Sequence, residues 1–149
     1  MFEPTTEIII HALPYVVWRI LTDTARYSDW NPLVVRFDGE LRRGARAKIT
    51  LGIEGRRTPK IPVRIDIVEP NVELAWTGGP RLILQGTHYF RLNDAGNGRT
   101  RFVHGERFVG PLSRLLPFAR ANVEAGYVAL NKALAREAER VAKANVATA

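Results

Sequence analysis

Cysteine is absent from the 149-residue chain, which excludes disulfide bonds and thiolate metal sites. The three histidines, His11, His88 and His104, are not spaced like the ligands of a metal ion, and no glycine-rich loop precedes a helix to hold a nucleotide phosphate. We therefore predict no metal and no cofactor. No apolar run approaches the roughly 20 residues of a membrane-spanning helix. The opening residues, MFEPTTEIII, lack the basic segment of a signal peptide, so we expect a cytoplasmic protein.

Positive charge dominates the composition, because 22 Lys and Arg against 15 Asp and Glu give a net charge of +7. A basic protein attracts phosphate groups, which raises the possibility of a nucleic-acid partner. The arginines, however, are scattered as pairs and as single residues that alternate with apolar ones. A protein that binds duplex nucleic acid shows a basic helix or a recognised motif, and this sequence has neither. The pattern disfavours a nucleic-acid partner.

Hydrophobic periodicity divides the chain into three parts. Residues 5–10 predict a strand, and LPYVVWRILTDT and ARYSDW then predict two short helices. From there to residue 109, β-rich runs alternate with turn sequences such as EPN and DAGNG, which predicts six successive antiparallel strands. After residue 111 the apolar side chains recur every three or four positions, which predicts a long amphipathic helix over most of residues 117–141.

These elements predict one α+β domain over residues 1–149. A curved antiparallel sheet of six to seven strands must cover its apolar face, and a long C-terminal helix laid across the sheet does so. The result is a helix-grip fold, in which the sheet wraps around that helix and two short helices follow strand 1. The space between a curved sheet and a crossing helix can hold a ligand.

Three stretches of the chain carry a resemblance to a known family. They are VWRILTDTARYSDWNP (17–32), LAWTG (74–78) and GTHYFRL…GRTRFVHGERFVGPL (86–112). In order and spacing they resemble the START-like (SRPBCC) helix-grip superfamily, in its bacterial polyketide cyclase/dehydrase and lipid-transfer-like group. The resemblance implies a deep, largely apolar cavity in a superfamily that binds lipids, sterols, polyketides and other hydrophobic molecules. It implies no single activity, so function has to be argued from the site.

Strand alternation predicts which side chains face that cavity. In RTRFVHGERFVG every second residue from Phe102 shares one face, and in LILQGTHYFRL the inward set includes His88. In KIPVRIDIVEP the inward set is Val63, Ile65 and Ile67. The predicted ligand-binding residues are Trp30, Phe37, Leu51, Ile65, Trp76, His88, Phe90, Phe102, His104, Glu106, Phe108, Val123, Tyr127 and Leu130.

Polar residues at inward positions are the informative ones. A buried carboxylate without a partner is very unfavourable, so Glu106 should be paired, be protonated or lie at a wet opening. On one interpretation, His88, His104, Glu106 and Tyr127 orient a ligand carbonyl or act as acid and base. On the other, Glu106 and His104 lie near the strand end, bond to loop backbone or to Arg120, and have a structural role only. The second interpretation is favoured, because structural networks contain such groups as well.

Two further residues stand out from their surroundings. Gly126 lies inside the predicted long helix, where glycine costs roughly 1 kcal/mol relative to alanine. It either leaves room for a ligand or allows close packing of helix on sheet. Trp30 ends the second helical piece shortly before Pro32, and we expect it at the rim of the cavity, more as an anchor than as a surface on which a ligand stacks.

Two functions from different classes fit this pattern. The first is binding of a small hydrophobic ligand, such as a lipid, a polyketide or an aromatic-type molecule, between the sheet and the C-terminal helix. The second is an enzyme of the cyclase, aromatase or dehydrase type that acts on a hydrophobic carbonyl substrate, with Glu106 or His104 as base and Tyr127 as acid. A third reading, an interaction module that acts through its basic surface, would show strong salt dependence. The sequence leaves open whether the protein is an enzyme, which ligand it takes, and whether it is a monomer or a homodimer.

Overall fold

A strongly curled antiparallel sheet of seven strands forms a half-barrel around the long C-terminal helix in the computed structural model, which describes residues 1–148. The seven strands are β1 (Thr5–Ile10), β2 (Val34–Asp38), β3 (Arg46–Ile53), β5 (Ile61–Glu69), β6 (Glu73–Gly78), β7 (Gln85–Gly96) and β8 (Arg99–Val109). A further strand of two residues, β4 (Arg56–Arg57), lies between β3 and β5 in the chain. The helices are α1 (Pro14–Thr22), α2 (Tyr27–Trp30) and α3 (Arg120–Thr148), with 3₁₀ segments at Thr24–Arg26 and Pro111–Ala119.

The strand order is β1-β8-β7-β6-β5-β3-β2, and β4 pairs only with β3. Every pair is antiparallel, and short turns join consecutive strands from β2 to β8. The first strand of the chain pairs with the last and so forms the opposite edge of the sheet. The predicted helix-grip fold, with its two short helices after the first strand, is confirmed.

In the part of β7 and β8 that faces α3, side chains alternate between the inner and outer faces of the sheet without interruption. Their pairing shifts register only between Asp94 and Gly96, close to the hairpin turn. The side chains that face inward therefore stand opposite each other in pairs, which we call the inner rungs: Gly86/Phe108, His88/Glu106, Phe90/His104 and Leu92/Phe102.

The inward assignment fails at one position of β5. The register with β6 shifts between Ile65 and Ile67, which makes Asp66 the extra residue of a β-bulge. Ile67 consequently pairs with Ala75 and is 37% exposed, while Val68 packs against the core in its place. The prediction that Ile67 faces inward is wrong, because a bulge moves the following side chains to the other face of the sheet.

The long helix begins later and ends later than its periodicity predicts. Pro117 lies within the preceding 3₁₀ segment, so the α-helical hydrogen bonding starts only at Arg120. At the other end the helix continues to Thr148, because the residues beyond 141 include good helix formers such as alanine and lysine. Its 29 residues span about 43 Å at about 1.5 Å per residue.

The core lies between the concave face of the sheet, α1 and the middle of α3. Its centre is aromatic: the rings of Trp76 and Phe90 lie 5.3 Å apart, and those of Phe90 and Phe102 lie 6.0 Å apart. From Leu130 to Ala138 the inward side of α3 packs directly against these rings and against β1, with no open space between them. Within residues 1–148, no helix has both the length and the apolar character that a membrane span requires.

Candidate functional site

A pocket of about 610 Å³ lies between the sheet and the first turns of α3. It is open to solvent at one end, and its volume is in the range of roughly 300–1,000 Å³ that is typical of small-molecule sites. Its walls are mainly apolar and come from β3, β5, β6, β7, β8, α3 and loop residues such as Leu33, Gly79 and Leu84. The apolar side chains are those of Leu33, Ile49, Leu51, Ile53, Ile61, Val63, Trp76, Leu84, Phe108, Val123 and Ala125.

Glycines at inward positions keep this space empty. Gly78 and Gly86 stand side by side on β6 and β7, and both line the pocket. A Cβ atom at Gly86 would overlap Oε1 of Glu106, so only glycine leaves that carboxyl group its place. At Gly126 an added Cβ would meet only Leu33 Cδ1, at an ordinary 3.4 Å. Close packing therefore does not require glycine at position 126, and this residue instead widens the pocket.

The inner rungs divide into an open part and a closed part. Gly86/Phe108 lies toward the opening of the pocket, and His88/Glu106 forms its floor. The next rung, Phe90/His104, is already in the solid core, where Phe90 is 1% exposed and His104 is fully buried. Depth along the two strands thus separates residues that can touch a ligand from residues that cannot.

A line of hydrogen-bonding groups runs from β1 through the core to the pocket floor. We call it the polar chain, and in order its members are Thr6, Asn131, His104, His88, Glu106 and Tyr127.

The buried end of the polar chain holds its groups tightly. The Asn131 amide donates to the Thr6 hydroxyl over 2.8 Å, and the Asn131 carbonyl oxygen accepts from His104 Nδ1 over 2.8 Å. The Thr6 hydroxyl donates in turn to the His104 backbone carbonyl. His104 Nε2 lies 2.6 Å from His88 Nε2, so one of these two nitrogens donates and the other accepts.

The open end of the polar chain reaches the pocket. His88 Nδ1 lies 3.4 Å from Glu106 Oε2, and the Tyr127 hydroxyl donates to the same carboxyl oxygen over 2.7 Å. All three of these residues line the pocket. Arg120 pairs with Glu124 at 3.0 Å and not with Glu106, so the predicted structural contact between Glu106 and Arg120 is wrong. Tyr127 takes that place because it projects from α3 directly over the floor.

Burial controls the charge of two members of the polar chain. It holds the pKa of His104 well below the ordinary histidine value, and the positive charge of a protonated His88 lowers that pKa further. Burial also raises the pKa of Tyr127, and the neighbouring Glu106 carboxylate adds to the effect. At neutral pH His104 is therefore uncharged and Tyr127 keeps its proton. The other two acid–base groups of the polar chain, His88 and Glu106, line the pocket.

The chemistry available at the floor is hydrogen bonding and proton transfer. Glu106 and His88 are acid–base groups in contact with the pocket, and the Tyr127 hydroxyl is a donor beside them. Within the described part of the chain, no three His, Asp or Glu side chains are grouped to hold a metal ion. The absence of metal and cofactor stays a prediction of the sequence.

Comparison with known families decides the classification. The family model for polyketide cyclase/dehydrase and lipid transport proteins matches residues 1–139. The chain belongs to this family. A comparison with curated protein sequences finds no match.

Solved structures of low sequence identity share the fold of this polyketide cyclase/dehydrase family member. The ZhuI aromatase/cyclase from Streptomyces sp. R1128 is 20% identical, with a TM-score of 0.75 over 93% of this chain and 94% of that one. A START superfamily protein from Mycobacterium smegmatis is 15% identical, with a TM-score of 0.74 over 93% and 98%. Protein MLL2253 from Mesorhizobium loti is 21% identical, with a TM-score of 0.72 over 93% and 98%. Similarity at this level of identity shows the fold alone.

The structure of this family member separates the predicted ligand contacts into two groups. Half of them line the pocket: Leu51, Trp76, His88, Glu106, Phe108, Val123 and Tyr127. Six others lie in the closed core: Phe37, Ile65, Phe90, Phe102, His104 and Leu130. They face inward as predicted, but the expectation that they border the pocket is not met, because α3 closes against the sheet from Leu130 onward.

Trp30 is the remaining predicted contact, and it lies away from the pocket. Its indole stands edge-on against Tyr27, with ring centroids 5.5 Å apart, in a small depression that also includes Val141. The pocket wall ends at Tyr127, about 21 Å earlier along α3. The predicted rim position is wrong, because α2 packs near the far end of that helix. Tyr27 is itself held by donation to the Leu21 carbonyl, so Trp30 anchors α2.

Sequence reasoning missed Asn131, which is 2% exposed and joins His104 to Thr6. A signal was present, because Asn131 lies four residues after Tyr127 and shares its inward helical face. A polar residue in an otherwise apolar stripe needs a partner when it is buried. Periodicity alone does not predict which residue of the sheet bonds to Asn131.

The buried His104 should make stability depend on pH. Its pKa is lowered in the folded state, so as pH falls below about 6.5 the unfolded state binds a proton that the folded state does not. We expect the free energy of unfolding to fall by up to about 1.4 kcal/mol per pH unit between pH 6.5 and 5.5. Urea denaturation at several pH values measures this slope.

Two variants separate the contribution of His104 from that of other groups. His104→Gln should flatten the slope, whereas His11→Gln, at an exposed histidine, should retain it. An unchanged slope in His104→Gln would show that His104 takes up a proton equally in both states.

Proposed function

We propose that this chain binds a small hydrophobic molecule, of the lipid, polyketide or aromatic type, in the pocket between the sheet and α3. The main support is the pocket itself, about 610 Å³ of open space with mainly apolar walls and one polar end. Apolar surface that enters it contributes roughly 25 cal/mol per Å², less the freedom that the ligand loses. The family, described as polyketide cyclase/dehydrase and lipid transport, fits such a role.

An enzymatic function of the cyclase, aromatase or dehydrase type is the second candidate. It is favoured by the position of Glu106 and His88, whose side chains meet at the floor where a substrate carbonyl would rest. In such a reaction Glu106 takes or gives the proton, and Tyr127 holds the carboxyl group in place by donating to Oε2. His104 acts only through His88, because it does not reach the pocket. The similarity to an aromatase/cyclase supports the shared fold and not a shared activity.

The remaining expectations accompany this proposal as predictions. They are a cytoplasmic location, the lack of a nucleic-acid partner and the state of monomer or homodimer.

Titration with a fluorescent apolar probe tests the binding function directly. We expect binding at micromolar concentrations and displacement of the probe by small hydrophobic competitors. Native mass spectrometry of protein purified from its own host should reveal a bound small molecule. If no probe binds and no molecule is retained, the binding function is contradicted.

Glu106→Gln distinguishes a functional carboxyl group from a structural one. Glutamine retains an oxygen that accepts from Tyr127, so we expect the free energy of unfolding to change by less than about 1 kcal/mol. If the second candidate holds, turnover should fall by about 100-fold or more, and the pH dependence of the rate that reflects this carboxyl group should disappear. Melting temperature and ligand binding are to be measured on the same sample. A loss of 1–3 kcal/mol with unchanged binding would assign Glu106 a structural role only.

A further inference from the structure

The wall of the pocket has a charge that contrasts with the rest of the chain. Among the described residues that line it there is no lysine or arginine, although the chain has 22 of them. Its two charged residues are both acidic, Glu54 near the opening and Glu106 at the floor. Arg56 and Arg57 line an adjoining groove beside β4, which shares Leu33, Gly52, Glu54 and Gly126 with the pocket. Both side chains are exposed, so water and salt screen them.

Histidine does not supply a free positive charge at the floor. His104 is uncharged and lies behind the wall, as its burial and lowered pKa require. His88 is therefore the only possible cation there, and its Nδ1 lies 3.4 Å from Glu106 Oε2. Any charge on His88 is compensated by that carboxylate. The floor is thus neutral or negative in every protonation state in which Glu106 is ionised.

One carboxyl oxygen of the floor is left to meet a ligand. Glu106 Oε2 accepts from Tyr127 and faces His88, whereas Oε1 has no hydrogen-bond partner within residues 1–148 and lies over Gly86 on the pocket wall. An ionised carboxyl oxygen accepts from a hydroxyl group, and a protonated one donates to a carbonyl. A ligand carboxylate at the same place would put two negative charges in contact in a poorly hydrated space.

We infer that the pocket selects uncharged ligands with a hydroxyl or carbonyl oxygen at their buried end, and that it rejects carboxylate anions. This inference rests on the proposed binding function and adds the charge and polar group of the ligand. The apolar walls hold the body of the molecule, and Glu106 Oε1 binds its oxygen. Free fatty acids in their anionic form are therefore poor ligands, and neutral alcohols, phenols and ketones of similar size are good ones.

Competition by four naphthalene probes against a fluorescent apolar reporter tests the inference on the unmodified protein at pH 7. The probes are naphthalene, 2-naphthol, the 2-naphthoate anion and its methyl ester. We expect 2-naphthol to bind about tenfold more tightly than naphthalene, because its hydroxyl group donates to Glu106. We expect 2-naphthoate to bind at least about tenfold more weakly than the methyl ester, and raised salt should not abolish that difference.

Two variants locate the selectivity. Glu106→Gln should reduce the discrimination between ester and anion by about tenfold, because it removes the floor carboxylate. Glu73→Gln is the matched control: the side chain of Glu73 is 20% exposed, against 19% for Glu106, but it pairs with Arg91 on the outer face of the sheet. It should leave the discrimination unchanged.

The outcomes separate this inference from the binding function. If neither the reporter nor any of the four probes binds, the proposed function itself fails. If 2-naphthoate binds as tightly as its ester, the binding function stands and the charge selectivity is overturned. An equal loss of discrimination in Glu106→Gln and Glu73→Gln also overturns it, since the effect would then come from overall charge. The comparison of ester with anion needs no variant and decides the point even if Glu106→Gln does not fold.

Discussion

Val123→Trp should reduce binding of an apolar probe by about 100-fold or more while leaving the melting temperature within a few degrees of the parent value. Val123 projects from α3 into the open pocket, so an indole at this position occupies the space that a ligand would use. It does not displace core side chains, because the core closes only at Leu130. Fluorescence titration gives the affinity, and a thermal melt of the same sample gives the stability.

The control for this experiment lies on the same helix. Val128 is 37% exposed and does not line the pocket, so Val128→Trp adds the same side chain outside it. Binding should then be unchanged. If Val123→Trp binds the probe as well as the parent does, the probe occupies another site and the pocket between sheet and α3 is not the one used.

Phe90→Ala should lower the free energy of unfolding by about 3–5 kcal/mol. The Phe90 ring is 1% exposed and lies 4.7 Å from the ring of His104 and 4.9 Å from that of His88, measured between centroids. Its removal leaves a void under the pocket floor that the surrounding rings cannot fill. Because the total stability of a domain is about 5–15 kcal/mol, the loss is a large share of it.

Phe118→Ala provides the comparison, since Phe118 is 92% exposed in the 3₁₀ segment before α3. The same chemical change there should alter the free energy of unfolding by less than about 0.5 kcal/mol. Urea denaturation curves of both variants give the values. A small effect of Phe90→Ala would mean that the region below the floor is loosely packed and that the pocket extends into it.

Sequence pattern predicted the fold well because its periodicities are long and uninterrupted. Alternation in β7 and β8 placed His88, Glu106 and Phe108 on one face, and the absence of a bulge between them kept that assignment correct. A single bulge at Asp66 was enough to turn Ile67 outward, and nothing in the local composition marks it.

The depth of each residue could not be predicted in the same way. The alternation of side chains along a strand assigns each residue to a face of the sheet. Whether an inward residue borders the pocket or the core depends on where along its length α3 packs against the sheet. Phe102 and Glu106 share a face and a strand, yet Phe102 is fully buried and Glu106 lines the pocket. That difference depends on contacts between residues distant in sequence, such as the bond from His104 to Asn131, which no local pattern encodes.

The two parts of α3 differ in how freely they can be substituted. Asn122, Val123, Ala125 and Gly126 border the pocket, while Tyr127, at the pocket floor, and the buried residues from 130 to 138 belong to the core. Substitutions in the first part change the shape offered to a ligand without removing core contacts, so new ligand preferences can arise by mutation at little cost in stability. In the second part a substitution removes core packing, and from Leu130 onward it brings no change at the pocket that would compensate for the lost stability.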